Sequence, residues 1–289
     1  MKKITNINLG RILMLTLALL ISINGVLTKI LLNIFPQWEI IFFNALTCLI
    51  VSLIIILFKG TNNFKVQNIP KHFIRVFSMA IAFIIYVFSI QKIFIVEVMA
   101  IYNFAPVIST VLAIFFLKEK FNILRFIAVL FGFVGVLIII KPGEGLFSLT
   151  SLLPILGAFF VGIAYVTTRS IMKIDNVYAT VFYYSVGLLI LSLVFFPKNF
   201  ILPSLYLLLL LLLMGLLSII SHYLFALSVK FGEVNSVAPL EYTAFIWTGL
   251  LGYLVFNQIP NLMVIFGGVI IIISGIYLIR VENNLFKYK

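Results

Sequence analysis

The chain has 289 residues, 64% of them hydrophobic and only 10% charged, with a net charge of +12 and a mean hydropathy of +1.27. A water-soluble domain of this size cannot be that apolar and still cover itself with polar side chains, so the soluble classes are excluded. One cysteine, Cys48, permits no internal disulfide framework and reads as a buried core residue.

About 20 apolar residues cross roughly 30 Å of hydrocarbon, and a window of that length predicts ten spans. They lie at about 11–32, 38–58, 73–91, 95–117, 122–140, 149–169, 177–196, 204–226, 234–256 and 262–280. In lipid every backbone amide must be bonded within its own segment, so these runs are expected to be helices. The first run has no small-residue cleavage site and is followed at once by further spans, so it reads as retained. The connections are short and punctuated, as at Phe35-Pro36-Gln37, Lys59-Gly60-Thr61-Asn62-Asn63 and Lys141-Pro142-Gly143. No loop is long enough to hold a soluble domain.

Cytoplasmic loops retain Lys and Arg. With the amino terminus inside, only Lys29, Lys92, Lys141 and Lys198 fall on the outer side, and the other sixteen of the 20 Lys and Arg fall on the inner side. A missed or invented segment would scramble this alternation, so it predicts ten spans in the cytoplasmic (inner) membrane with both termini cytoplasmic. It also accounts for the net charge. Nucleic acid is not an expected partner, because the basic residues are spread over loop ends rather than gathered on one face.

The two halves carry similar features about 137 to 140 residues apart. Thr28-Lys29 closes span one and Thr168-Arg169 closes span six; Tyr86-Val87-Phe88 matches Tyr223-Leu224-Phe225; Glu97-Val98 matches Glu233-Val234. Ala128 and Gly135 in span five are seven apart, as are Gly268 and Gly275 in span ten, a spacing that puts small residues on one helix face for close packing. Five spans per repeat is an odd number, so the second copy, 146–289, is expected to sit upside down relative to the first, 1–145. That is the build of many secondary transporters.

The chain resembles the drug/metabolite transporter superfamily, in its ten-helix branch of two EamA-like repeats. The likeness rests on Ala105-Pro106, Leu117-Lys118-Glu119 and the Ala128 to Gly135 spacing in the first half. In the second it rests on Ala238-Pro239-Leu240-Glu241-Tyr242-Thr243-Ala244, Trp247 and Leu250-Leu251-Gly252-Tyr253. It covers essentially the whole length and implies an all-α membrane bundle carrying small metabolites, without fixing which. Relatives normally show a glutamate just after span nine, where this chain has Asn257-Gln258.

Polar groups too deep to be loop residues point to a site. Glu241 lies about 10 Å along span nine, after Pro239; Pro106 lies in span four. Proline cannot donate to the helical ladder, so both spans are expected to be kinked or unwound, and paired interrupted helices point to a central cavity between them. A carboxylate inside the membrane costs about 2.5 to 3.5 kcal/mol on insertion scales and should face protein or water. Glu241 then either binds a cationic part of the solute or accepts a proton, unless it only bonds a neighbouring helix; His222 is a candidate proton partner. Asn24, Tyr86, Tyr102, Asn103, Tyr165, Tyr184, Tyr242 and Trp247 complete the expected binding set, since aromatic rings beside an acid suit a cationic amphiphile. Lys29 and Arg169 are candidate entrance groups at opposite faces, with snorkelling anchors an equal reading.

No zinc-ligand spacing, nucleophile elbow, Walker loop or dinucleotide glycine pattern is present. Neither an enzyme nor a metal or cofactor site is expected, and the partners are a small-molecule substrate and membrane lipid, with the chain a monomer or homodimer. The expected function is secondary transport of a small organic metabolite, amino-acid-like or a cationic amphiphile, by alternating access with proton coupling or exchange. Uptake of S-adenosylmethionine is the alternative implied by the resemblance. A non-transporting scaffold or receptor with a transporter-like fold is the alternative from another class.

Overall fold

The computed structural model describes residues 2–117, 123–140, 149–197, 199–231 and 240–287, and among these every regular element is helical. In chain order the α-helices are α1 (Lys2–Leu31), α2 (Gln37–Lys59), α3 (Ile69–Lys92), α4 (Ile95–Tyr102), α5 (Ala105–Leu117), α6 (Ile123–Ile140), α7 (Leu149–Ile171), α8 (Val177–Val194), α9 (Leu205–Phe231), α10 (Thr243–Phe256) and α11 (Leu262–Lys287). Among the described residues six stretches are long and apolar enough to cross a membrane: Asn8–Leu31, Gln37–Lys59, Ile69–Lys92, Leu152–Ile171, Val177–Val194 and Leu205–Ser228. The protein is a multi-pass membrane protein.

Its surface is the reverse of a soluble protein's. Phe58, Leu202 and Leu205 are exposed, while Ser22, Asn44, Thr180 and Thr248 are fully buried. Many interior hydroxyls donate to a carbonyl one turn back in their own helix, as Thr28 to Asn24, Thr47 to Phe43 and Ser89 to Ile85. Back-bonding of this kind lets small polar residues sit between helices without an outside partner.

Span four is not one helix. It stops at Tyr102, turns through Asn103 and Phe104, and restarts as α5 with Pro106 in the first turn, where no ladder amide is required of it. The second half has a corresponding interruption: Leu240 and Glu241 are helical, Tyr242 forms a turn, and α10 follows. Pro239, expected to cause that break, lies outside the described residues, as do Lys118, Glu119 and Lys141. Pro154 lies inside α7, which continues through it.

Helix contacts are reciprocal between the halves. α1 packs on α9 as α3 packs on α7; α1 packs on α10 as α7 packs on α5; α2 meets α8, and α6 packs along α11. On that last pair a Cβ at Gly135 would strike the Gly267 carbonyl, and one at Gly267 would strike the Gly135 carbonyl, so only glycine allows the two backbones to touch. Gly268 and Gly275 instead receive the Phe245 ring and the Tyr242 hydroxyl.

The connections sort to the two ends of α2. At its start, Glu39 accepts from the amide of Ile201 in the α8–α9 connection, and Phe42 packs edge-on against Phe196. At its other end, the α2–α3 connection meets the α7–α8 connection through Gln67 and Asp175.

Candidate functional site

Where the two interrupted spans meet, a cavity of about 180 Å³ opens between α1, α3, α4, α7, α8 and α9. Of the residues expected to bind solute, Asn24, Tyr86, Tyr102, Asn103, Tyr165, Tyr184 and Glu241 line it, and so does His222. Tyr242 is buried beside Gly275 and Trp247 is 39% exposed; neither lines the cavity.

The wall built by the first half is neutral. Asn24 donates to Ser218 Oγ at 2.8 Å, and Asn44 donates to the same oxygen at 2.5 Å from behind. Tyr102 donates to the Ala82 carbonyl at 2.9 Å, while its ring meets Tyr86 edge-on with centroids 5.5 Å apart. Glycine at position 25 makes room for the Tyr86 hydroxyl.

The second half supplies the ionisable groups. Tyr165 donates to Glu241 Oε1 and is held in place by stacking on Phe225, ring centroids 4.8 Å apart. His222 lies against the ring of Tyr184 at 4.2 Å. Glu241 stands at the last helical position before the Tyr242 turn, and Tyr102 stands at the last position before the Asn103 turn, so the two breaks present their flanking residues to the same space.

Four cavity-lining residues carry buried polar atoms with no protein partner: Asn24 Oδ1, Tyr86 Oη, Asn103 Nδ2 and Glu241 Oε2. Most buried polar atoms in proteins are bonded, so four such atoms around one cavity leave it with unused hydrogen-bonding capacity. Among the described residues no group of three His, Cys, Asp or Glu is arranged to hold a metal ion.

The candidate entrance groups lie at opposite ends of the bundle. Lys29 is tied down, its Nζ donating to the carbonyls of Ile90 and Ile93 at 2.7 and 2.8 Å and lying 5.8 Å from the centre of the Phe256 ring. Arg169 is half-buried in the last turn of α7.

Several polar residues went unread in the sequence. Ser218 joins Asn24 to Asn44, but one serine in a leucine-rich run carries no signal of its own. Arg75, counted above as a loop charge, is 1% exposed inside α3, its Nε donating to Thr168 Oγ1 at 2.8 Å and Nη1 to the Thr180 carbonyl at 2.9 Å. Glu39 and Asp175 lie near span ends, where a single carboxylate carries no signal in the sequence.

A single family model matches the chain twice, over residues 8–141 and 148–281. The chain belongs to the EamA-like transporter family. Two curated relatives are S-adenosylmethionine uptake transporters, one from Rickettsia bellii (strain RML369-C), 23% identical with 93% of this chain and 92% of the relative covered. The other is from Rickettsia prowazekii (strain Madrid E), 26% identical with 93% and 91% covered. A crystal structure of a protein 15% identical superposes with a TM-score of 0.66 over 97% of this chain and 98% of that one, which shows the shared fold. Family and relatives alike are small-molecule transporters rather than enzymes.

Proposed function

We propose that the protein is a secondary carrier that moves a small organic solute bearing a positive charge across the cytoplasmic membrane by alternating access. Its two five-helix halves, 1–145 and 146–289, rock about the cavity in inverted orientation, with both termini in the cytoplasm and the chain working as a monomer or homodimer. Support for the inversion comes from α1 and α7: the connection after α1 lies at the Glu39 end of α2, whereas the connection after α7 lies at the opposite end. The basic residues Lys59, Lys65, Lys71 and Lys173 cluster at that opposite end, which favours it as the cytoplasmic side.

The observation that carries the reading is Glu241. Its Oε1 accepts from Tyr165 and its Oε2 has no protein partner, at an interrupted span facing a cavity with aromatic walls. Such a carboxylate favours a cation or a proton, and the rings of Tyr86, Tyr102 and Tyr165 add cation–π attraction of about 0.5 to 2 kcal/mol. His222 is the further candidate in proton coupling.

Among solutes, S-adenosylmethionine is favoured by the names of the two relatives and by the match between its sulfonium and this acid. The purified protein, heated with S-adenosylmethionine or with S-adenosylhomocysteine, whose sulfur is uncharged, separates the alternatives. The sulfonium compound is expected to raise the melting temperature and the thioether to do so less, with the difference lost in Glu241→Gln. Equal shifts in the wild type would remove Glu241 as the cation site.

A further inference from the structure

The two ends of the bundle are closed by the same device built with different chemistry. At one end Asp175, which follows the first helix of the second half, accepts from the amide of Gln67 at 2.9 Å. Gln67 belongs to the connection between the second and third helices of the first half. At the other end Glu39, which follows the first helix of the first half, accepts from the amide of Ile201 at 3.1 Å. Ile201 belongs to the connection between the second and third helices of the second half. Glu39 precedes Asp175 by 136 residues and Gln67 precedes Ile201 by 134, so carboxylate and amide exchange places between the repeats.

Their surroundings differ. Asp175 also receives His72 Nε2 at 3.0 Å, with side-chain exposures of 5% for His72 and 2% for Asp175. Gln67 Nε2 donates to the Ile174 carbonyl, Asn176 Nδ2 to the Asn63 carbonyl and Lys71 Nζ to Ser170 Oγ, so polar bonds stitch this end. Glu39 is wholly buried, and its Oε1 has no partner. Aromatic contacts join this end instead, with Trp38 stacked on Phe195 at 4.7 Å and edge-on to Phe88 at 5.6 Å.

We propose that Glu39 and Asp175 are equivalent hooks, each joining the two halves at one end of the bundle and each released when that end opens. The inference rests on the carrier reading and supplies its latches. A carboxylate bonded to a backbone amide suits the task physically. Closed, the charge-assisted bond satisfies the amide; open, water takes the place of each partner at the other, so opening strands neither of the two groups. The added His72 contact makes the Asp175 end the more firmly held.

The test follows access to the cavity from each end. In a Cys48→Ala background, Ala82→Cys places one thiol on the cavity wall, and a membrane-impermeant maleimide is applied to right-side-out and to inverted vesicles. Asp175→Ala is expected to raise the labelling rate at least threefold from the Asp175 end only, and Glu39→Ala from the Glu39 end only, with the smaller rise in the second. If Asp175→Ala fails to elute as a folded species, His72→Gln, which leaves the Gln67 bond in place, is expected to give at least a twofold rise from the same end; Glu39→Gln serves likewise at the other. Unchanged labelling, or a rise from both ends at once, overturns the hooks. Flux of S-adenosylmethionine through the same variants keeps the two readings apart. Flux with unchanged labelling discards the hooks and retains the carrier, whereas end-specific labelling without flux of any solute retains the hooks and discards the carrier.

Discussion

The two halves agree in their framework and disagree in what they present to the cavity. Gly132 receives the ring of Phe104 just as Gly268 receives the ring of Phe245, and Gly135 and Gly267 touch each other's backbone. At the breaks themselves the likeness ends. The first half places Tyr102 there, its hydroxyl bonded to its own half through the Ala82 carbonyl, and the second places Glu241, with one oxygen left over. Packing tolerates little change because a single Cβ would collide, whereas a cavity wall can change chemistry without disturbing the helices behind it. The first half therefore supplies shape and neutral hydrogen bonding, and the second supplies charge.

Four substitutions break or sharpen this contrast. Gly267→Leu strikes the shared framework, and since the Gly135 carbonyl and the packed Ile139 side chain face it, the folded peak in size-exclusion chromatography is expected to be lost or the melting temperature lowered by many degrees. Glu241→Gln strikes only the charged wall: the folded elution profile is retained, while solute flux in liposomes drops at least about tenfold, the equivalent of about 1.4 kcal/mol. Tyr165→Phe keeps the stacking on Phe225 and removes only the hydroxyl that orients Glu241. Interhelical hydrogen bonds in membranes average about 0.6 kcal/mol, so apparent affinity should weaken about threefold in a binding titration. Trp247→Leu, at a side chain away from the cavity, is expected to leave flux within about twofold of wild type, as for ordinary exposed substitutions. A large loss there would move the binding surface toward α10.

Much of this was legible in the sequence. Hydropathy located the helices because lipid enforces internal backbone bonding, and Pro106 marked an interruption because a ring in place of an amide cannot be hidden. Glu241 stood out because a carboxylate deep in an apolar run has no bland surface position available to it. The unread residues share a different property. Arg75, Glu39 and Asp175 lie near span ends, where a charge is ordinary, and what makes them distinctive is the opposing helix or connection, set by tertiary packing between halves more than 90 residues apart. Trp247 shares a segment with Glu241, but the cavity lining does not include it and its side chain is partly exposed.

The back-bonded serines and threonines bear on selectivity. Because their hydroxyl protons are already given to carbonyls of their own helices, the spare hydrogen-bonding capacity around the cavity resides in the side-chain amides of Asn24 and Asn103, the Tyr86 phenol and the Glu241 carboxylate. An oily molecule of suitable size would fill the space and leave those groups stranded, a mismatch that sites built around polar recognition reject far more strongly than a missing methylene. In the carrier proposed above, passengers would thereby be sorted by the pattern of their polar atoms before they are sorted by bulk.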